Sequence, residues 1–153
     1  MKPILFLSAA VLLATLSGCS AYKLQGSVIY GPRSTVEVVS SDDPRLVKGS
    51  PIEEAAILIT LDPNSLRRKL LGQTLPNEKG QFAMVIDEPG AGLLEYEVQI
   101  ICSAPGFTEA GGDIPLPGSN KRVLITLAPG SGRVARPDQL LEEFERNKRQ
   151  FER

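Results

Sequence analysis

The sequence predicts an all-β sandwich. Between Tyr22 and Gly130, six or seven short stretches alternate apolar with polar residues, and clusters rich in glycine, proline, asparagine and aspartate separate them. This alternation places apolar side chains on one face of a strand, and closely spaced short strands are typical of a β-sandwich. No segment in this range has the apolar spacing of an amphipathic helix, which disfavours a fold of alternating strands and helices.

The clearest predicted strand begins at Glu95 and ends before Pro105-Gly106. One of its faces carries the apolar residues Tyr96, Val98, Ile100, Cys102 and Ala104. The other face is polar except at Ile101. Proline lacks the donor that a strand ladder needs and glycine favours turns, so the strand stops there. We therefore expect a half-buried strand of an antiparallel sheet.

The other strands follow from the same alternation. Four are strong, at 24–30, 55–61, 82–86 and 123–127. Three shorter stretches, at 35–40, 73–75 and around 114, are candidates for the remaining one or two of the predicted six or seven strands. Residues 66–71 contain three successive basic residues, Arg67, Arg68 and Lys69, and fit either a helical turn or an exposed loop. We expect these basic side chains to be solvated.

The N-terminus has the features of a secretory signal. Lys2 is followed by an apolar run from Ile4 to Leu16, which is short for a membrane span and has the length of a signal-peptide core. The run leads into Leu16-Ser17-Gly18-Cys19, which resembles the lipobox of bacterial lipoproteins. An ordinary secretory signal or a short transmembrane anchor is the alternative.

The lipobox resemblance implies that residues 1–18 are a lipoprotein signal peptide and that residues 19–23 are a lipidated cysteine and a tether. Cys19 is then the lipidation site, diacylated on sulfur and acylated on its new N-terminus. Several acyl chains on one residue hold a protein stably to a membrane. Ser20 occupies a position where aspartate usually marks inner-membrane retention, so the resemblance favours the outer membrane, on its periplasmic or surface face.

Residues 131–153 are predicted to be a linker followed by an amphipathic helix. Apolar residues fall near one side of that helix, namely Leu140, Leu141, Phe144 and Phe151. Pro137 suits a first helical turn, and an isolated helix of this length is marginal in water, so it needs a partner surface. Two alternatives stay open: a tail packed on the sandwich, and a helix for self-association or for a partner.

Composition excludes several kinds of chemistry. The chain has no histidine, which removes Ser-His-Asp and Cys-His catalysis and histidine-based zinc sites. Its net charge is −1, so it has no electrostatic affinity for nucleic acid. Cys102 would be the one thiol left after lipidation, and its strand face predicts an inert, buried side chain.

Paired carboxylates occur at three places, Asp42/Asp43, Glu53/Glu54 and Asp87/Glu88. We expect them to be solvated. A calcium-binding loop through Asp42 and Asp43, or through Asp62 and Asn64, is the alternative.

Several motifs in order resemble the carboxypeptidase regulatory-like domain. They are Gly26-Ser27-Val28, Pro51-Ile52 with Ala55-x-Ile57-x-Ile59, Gly80-Gln81-Phe82, Tyr96-x-Val98-x-Ile100 and Pro105-Gly106-Phe107. The resemblance covers residues 24–130 and implies a seven-stranded, transthyretin-like Greek-key sandwich. The stretch from Gly31 to Gly49 is longer than in that family. Such domains are usually accessory and non-catalytic.

These observations together predict a non-enzymatic, lipid-anchored protein of a bacterial cell envelope, with a structural or protein-interaction sandwich. The alternative is an accessory lipoprotein that binds a small ligand or a glycan beside an envelope enzyme or transporter. The hypothesis that the protein is a hydrolase is the least favoured. We expect a membrane contact through the lipid and a protein partner, with no cofactor, no metal and no nucleic acid.

Overall fold

The computed structural model describes residues 21–66, 68–91 and 94–131, which form a two-layer β-sandwich. Its eight strands are β1 (Tyr22–Tyr30), β2 (Thr35–Ser40), β3 (Ala56–Leu61), β4 (Lys69–Thr74), β5 (Gln81–Ile86), β6 (Glu97–Ser103), β7 (Ala110–Pro115) and β8 (Lys121–Leu127). Sheet A has the strand order β2-β8-β1-β5, and sheet B has the order β4-β3-β6-β7. In the described ranges, the helical content is one turn, Arg45–Lys48.

The first and last strands of the domain are parallel neighbours in the middle of sheet A. Val28 of β1 lies beside Ile125 of β8, and the register continues to Tyr30 beside Leu127. The other pairs of neighbouring strands in both sheets are antiparallel. Because β1 and β8 run in the same direction, the chain enters the sandwich at one end and leaves it at the other.

The core lies between the two sheets and is built from the inward faces of the strands. Its largest fully buried side chains include Leu24, Val28, Ile57, Ile59, Ile86, Val98, Ile100, Val123, Ile125 and Leu127. Burying one such aliphatic side chain stabilises the fold by about 1.5–3 kcal/mol. The inward face of β6 is the face predicted from the sequence, so this part of the prediction is confirmed.

Gly26 of β1 is required by packing. It pairs with Phe82 of β5, whose ring fills the space above it. A Cβ atom at position 26 would lie 2.6 Å from Phe82 Cζ and 2.3 Å from the backbone oxygen of Val123. The glycine therefore admits the Phe82 ring and the close approach of β8 at the same point.

The structure has eight strands, against the six or seven predicted, and β4 is longer than the short stretch predicted at 73–75. Residues 66–71 were expected to form a turn or loop, yet β4 begins at Lys69 and continues to Thr74. The β3–β4 register shifts between Ile59 and Thr60, which is a β-bulge. A bulge interrupts the alternation of faces, so the sequence pattern of this strand is blurred. The predicted C-terminal helix lies outside the described residues.

Gly26→Ala should destabilise the domain by about 1–3 kcal/mol, because the added methyl group overlaps both Phe82 and the Val123 carbonyl. Gly111→Ala is the matched control, since a Cβ atom there meets nothing within 4 Å. Its effect should stay within about 0.5 kcal/mol. Urea unfolding of the two variants measures the difference, and equal stabilities would contradict the packing role of Gly26.

Candidate functional site

The two ends of the sandwich differ in character. β1 begins at Tyr22, three residues after Cys19, at what we call the N-terminal end. Cys19 itself lies outside the described residues, so its lipidation stays a prediction. The Tyr22 hydroxyl donates a hydrogen bond to the Pro117 carbonyl oxygen. Burial raises the pKa of the Tyr22 phenol, and the Arg122 guanidinium opposes part of that shift.

The opposite end, which we call the distal end, carries an aromatic and proline-rich surface. It is about 26 Å away, because β1 rises about 3.3 Å per residue over its length. The rings of Tyr30 and Phe107 meet edge to face, with centroids 6.5 Å apart at an interplanar angle of 75°. Tyr30 is nevertheless 52% exposed. We define the distal patch as Tyr30, Pro51, Pro105 and Phe107.

A hollow of about 320 Å³ adjoins the distal patch. Pro51, Pro105 and Phe107 of the patch form part of its wall, and Ile52 lines it as well. Glu53 and Glu54 also line the hollow, and both are exposed. The hollow thus combines an apolar wall with two negative charges.

Backbone hydrogen bonds fix the loops that form the distal end. The amide of Tyr30 donates to the Ser50 carbonyl oxygen at 2.8 Å, which ties residues 50–52 to β1. The amide of Gly130 donates to the Gly106 carbonyl oxygen at 3.0 Å, which ties the β6–β7 connection to the end of β8. Gly106 has a φ of 77°, a conformation that glycine adopts without strain. The patch is therefore held in place before any partner arrives.

A second concave surface, which we call the sheet A groove, lies on the outer side of sheet A. Its volume is about 650 Å³, and its polar lining includes Gln25, Ser27, Gln81 and Arg122. Arg122 Nη1 donates to the carbonyl oxygens of Ser119 and Lys121, at 2.9 and 2.7 Å. These bonds hold the one cationic side chain among the residues that line the groove.

The helical turn Arg45–Lys48 forms one wall of the sheet A groove. Leu46 packs against a small cluster of Ile29, Val39 and Leu124 on the outer side of the sheet. The stretch from Gly31 to Gly49 therefore contributes β2 and this cover. Val47 on the turn is 85% exposed, and Leu75 across the groove is 64% exposed.

Arg45 anchors the helical turn through charge. Its Nη2 lies 2.9 Å from an Asp43 carboxylate oxygen, and its Nη1 lies 3.3 Å from Glu37. The hydrogen bonds from Arg45 hold the pKa of the Asp43 carboxyl below its ordinary value. Asp43 is thus occupied by an internal ion pair.

The other residues that the sequence suggested for binding or for a metal site lie apart from one another. Lys69 pairs with Glu88, and Arg67 lies outside the described residues. Asp62 has a φ of 46° and accepts a hydrogen bond from the Ser65 amide, so it forms a turn. Within the described ranges, no three His, Cys, Asp or Glu side chains are grouped so that they could hold a metal ion.

Cys102 is buried on the inward face of β6, as predicted. Burial raises the pKa of its thiol to about 12, and the nearby charge of Glu109 adds to the shift. The thiolate is the nucleophilic form, so Cys102 is protonated and inert at neutral pH.

The distal patch and the sheet A groove were not found in the sequence. Tyr30 and Phe107 are 77 positions apart (107 − 30), and each appeared only as a residue at the end of a strand or turn. Arg122 directly precedes the last predicted strand, at 123–127, and no motif of the sequence contains it. No local signal links these residues, because the strand order alone brings them together.

The described residues define a two-sheet all-β sandwich domain whose concave surfaces include the sheet A groove and the hollow beside the distal patch. Comparisons with protein-family models, with curated proteins and with solved structures found no match. Among the residues that the structure describes, no helix has the length and apolar content to span a bilayer.

The Cys102 thiol should resist Ellman's reagent at pH 8 in a chain that starts at Ser20, and should react once urea unfolds the protein. The unfolded thiol ionises near its ordinary pKa of 9.0, whereas the folded thiol holds its proton to about pH 12. The unfolded state then binds fewer protons between those values, so this thiol makes stability fall as pH rises from about 9 to about 12.

The slope that Cys102 contributes is at most about 1.4 kcal/mol per pH unit. Cys102→Ala is the control, because it lacks this contribution. The difference in stability between the two proteins should therefore shrink across that pH range. Rapid labelling of the folded protein at pH 8 would show that the thiol is accessible after all.

Proposed function

We propose that this chain is a lipid-anchored protein of a bacterial cell envelope whose sandwich binds a protein partner through the distal patch. The observation that carries the proposal is the separation of two features. The lipobox cysteine precedes β1 by three residues, whereas the distal patch lies at the opposite end of that strand. An anchor at Cys19 would therefore direct the patch away from the membrane.

The chemistry of the distal patch favours a particular kind of partner. Tyr and Phe rings supply large apolar area, and a tyrosine hydroxyl keeps a polar contact, which is why aromatic residues are enriched at interfaces. Glu53 and Glu54 place negative charge beside the apolar wall of the hollow. The partner would therefore present an apolar side chain next to Lys or Arg.

We include in this proposal that the sandwich is a carboxypeptidase regulatory-like domain with a transthyretin-like Greek-key topology. A two-sheet sandwich is consistent with it, and Gly26 and Phe82 of its motifs pack against each other. The eighth strand departs from its seven-stranded pattern. A non-catalytic role is supported by the composition, which lacks histidine, and by a Cys102 thiol whose pKa is raised to about 12. Ser20 favours the outer membrane.

The sheet A groove supports the alternative, an accessory lipoprotein for a small polar ligand or a glycan. Its volume of about 650 Å³ falls in the range of small-molecule sites. Side-chain amides of Gln25 and Gln81, together with Arg122, suit hydroxyl groups or a carboxylate. The exposed apolar rim residues would then contact the ligand's non-polar faces.

Cells fed an alkyne fatty acid should label the mature protein, because the lipobox resemblance places acyl chains on Cys19. Cys19→Ala should lose the label completely. Cys102→Ala serves as the control and should keep it, since that thiol is buried and protonated. A label that survives Cys19→Ala, or a mature protein without label, would refute the anchor.

A photo-crosslinking amino acid in place of Tyr30, in the full chain in its own cells, should give one discrete adduct on irradiation. Glu54→Arg should reduce that adduct about tenfold, because it reverses a charge in the hollow, and about 1.4 kcal/mol of binding free energy corresponds to tenfold in affinity. Asp42→Arg changes the charge equally at an exposed position outside the hollow, and it should leave the adduct intact.

Mass spectrometry of the adduct completes this test. The crosslinked peptide of the partner should contain Lys or Arg beside an apolar residue. An adduct that responds equally to Glu54→Arg and Asp42→Arg would defeat the proposal, as would an adduct with a second copy of this chain. The sheet A groove is tested in the same strain. Binding of a ligand there should depend on Arg122 and should be unchanged by Glu54→Arg.

A further inference from the structure

The outer face of sheet B is buried at its centre. Side chains of β3 and β6 alternate, and those that point away from the core include Leu58, Thr60, Ile101 and Ser103. We call these four residues the sheet B face. Leu58 is 5% exposed, Thr60 is 4% exposed and Ser103 is 5% exposed. Outward side chains this inaccessible in the middle of a sheet indicate that another segment packs over them.

The described residues supply a cover on sheet A. On sheet A, Leu46 of the helical turn packs over Leu124 and Ile29. On sheet B, Leu58 is buried but belongs to neither hydrophobic cluster of the described residues. Gly111 on neighbouring β7 is exposed, so the cover is centred on β3 and β6.

Ser103 places a polar group on this face that needs a hydrogen-bond partner. Its hydroxyl oxygen is buried and has no hydrogen-bond partner. Burying a hydroxyl without a partner is unfavourable, so native structures usually pair such groups. A covering segment with polar side chains beside its apolar ones would satisfy both Leu58 and Ser103.

The chain leaves the sandwich next to the sheet B face. Gly130 donates a backbone hydrogen bond to Gly106, which follows Ser103 by three residues. The described chain ends at Ser131, and 22 residues follow it (153 − 131). A linker of five residues, 132–136, can reach about 17 Å, which is enough to bring residue 137 to the Ser103 end of this face.

The length of the remaining segment matches the sheet. Residues 137–153 would make a helix about 25 Å long at about 1.5 Å per residue. The seven residues of β6 extend about 23 Å at about 3.3 Å per residue. A helix that starts at the Ser103 end and runs antiparallel to β6 would therefore end near Glu97.

Charge favours the same direction. The last eight residues of the chain, 146–153, contain Arg146, Lys148, Arg149 and Arg153 against one acidic residue, Glu152. Glu97 and Asp113 are exposed on the outer side of sheet B, toward the end of the face where that basic half would lie. Opposite charges then meet along the helix.

We propose that residues 137–153 of this chain dock as an amphipathic helix on the sheet B face, with Leu140, Leu141 and Phe144 over Leu58 and Ile101. This docking is intramolecular and depends neither on the anchor nor on the distal patch. It covers the apolar centre of sheet B and leaves the distal patch and the sheet A groove free for other molecules.

Photo-crosslinking in the purified full-length chain tests the docking. A crosslinking amino acid at Gln99, which is half-buried on the outer side of β6, should join to a peptide from residues 137–153 of the same molecule. The same amino acid at Val85, which is 60% exposed on the outer side of sheet A, should give no adduct with that peptide. Mixing isotope-labelled and unlabelled protein separates adducts within one chain from adducts between copies.

A pair of charge substitutions then tests the contact itself. Phe144→Asp should lower the Gln99 adduct at least about tenfold, because an ionised side chain on the apolar side opposes docking. Gln150→Asp adds the same charge on another side of the predicted helix and should leave the adduct within about twofold. Equal yields from the two variants, adducts between copies, or no adduct with residues 137–153 would overturn the proposal.

Discussion

The parallel pairing of β1 with β8 is the constraint on which the rest of this architecture depends. It joins the first and last strands of the domain in the middle of sheet A, with Val28 beside Ile125. Gly26 allows the two strands to approach closely, because the Val123 backbone oxygen lies where a side chain at position 26 would be. Because the two strands run the same way, the N-terminal entry and the C-terminal exit lie at opposite ends of the sandwich. An anchor before β1 and the first residues of the tail after β8 therefore lie at opposite ends of the sandwich.

Each sheet also has an outer face with apolar residues that must be covered. Sheet A solves this within the long connection after β2, where Leu46 covers Leu124 and Ile29 and the Arg45–Asp43 pair holds the turn. The cover is partial, and the sheet A groove is the part of the sheet that remains open beside it. On sheet B the buried centre at Leu58 and Thr60 needs a comparable cover. With the proposed docking of residues 137–153, the outer apolar residues of both sheets would be covered by a helical segment of the same chain.

Sequence reasoning located features whose cause is local. The inward face of β6 was predicted because alternation over successive residues is written directly in the chain, and the burial of Cys102 followed from it. The strand β4 was misread because its bulge opposite Ile59 and Thr60 breaks that alternation. The strand around 114 was predicted without bounds, because Gly111 and Gly112 carry no side chains to mark a face.

The candidate surfaces could not be predicted in this way, because their residues are distant in sequence. Tyr30 meets Phe107 only because β1 and β6 end on the same side of the sandwich, in different sheets. Arg122 lines a groove with Gln25 and Gln81 only because β8, β1 and β5 are consecutive in sheet A. Such neighbours follow from strand order, which a single sequence does not determine.

The stiffness of the distal end bears on what it can bind. Its loops are tied by backbone hydrogen bonds at both the Ser50–Ile52 segment and the β6–β7 connection. A surface whose backbone is already fixed loses little conformational entropy on binding, so even a small apolar contact retains more of its free energy. A hollow of about 320 Å³ with two carboxylates at its wall would then discriminate by charge as well as by fit. A small, rigid contact of this kind would suit the proposed lipid-anchored protein, because proximity to the proposed partner would compensate for the limited contact area.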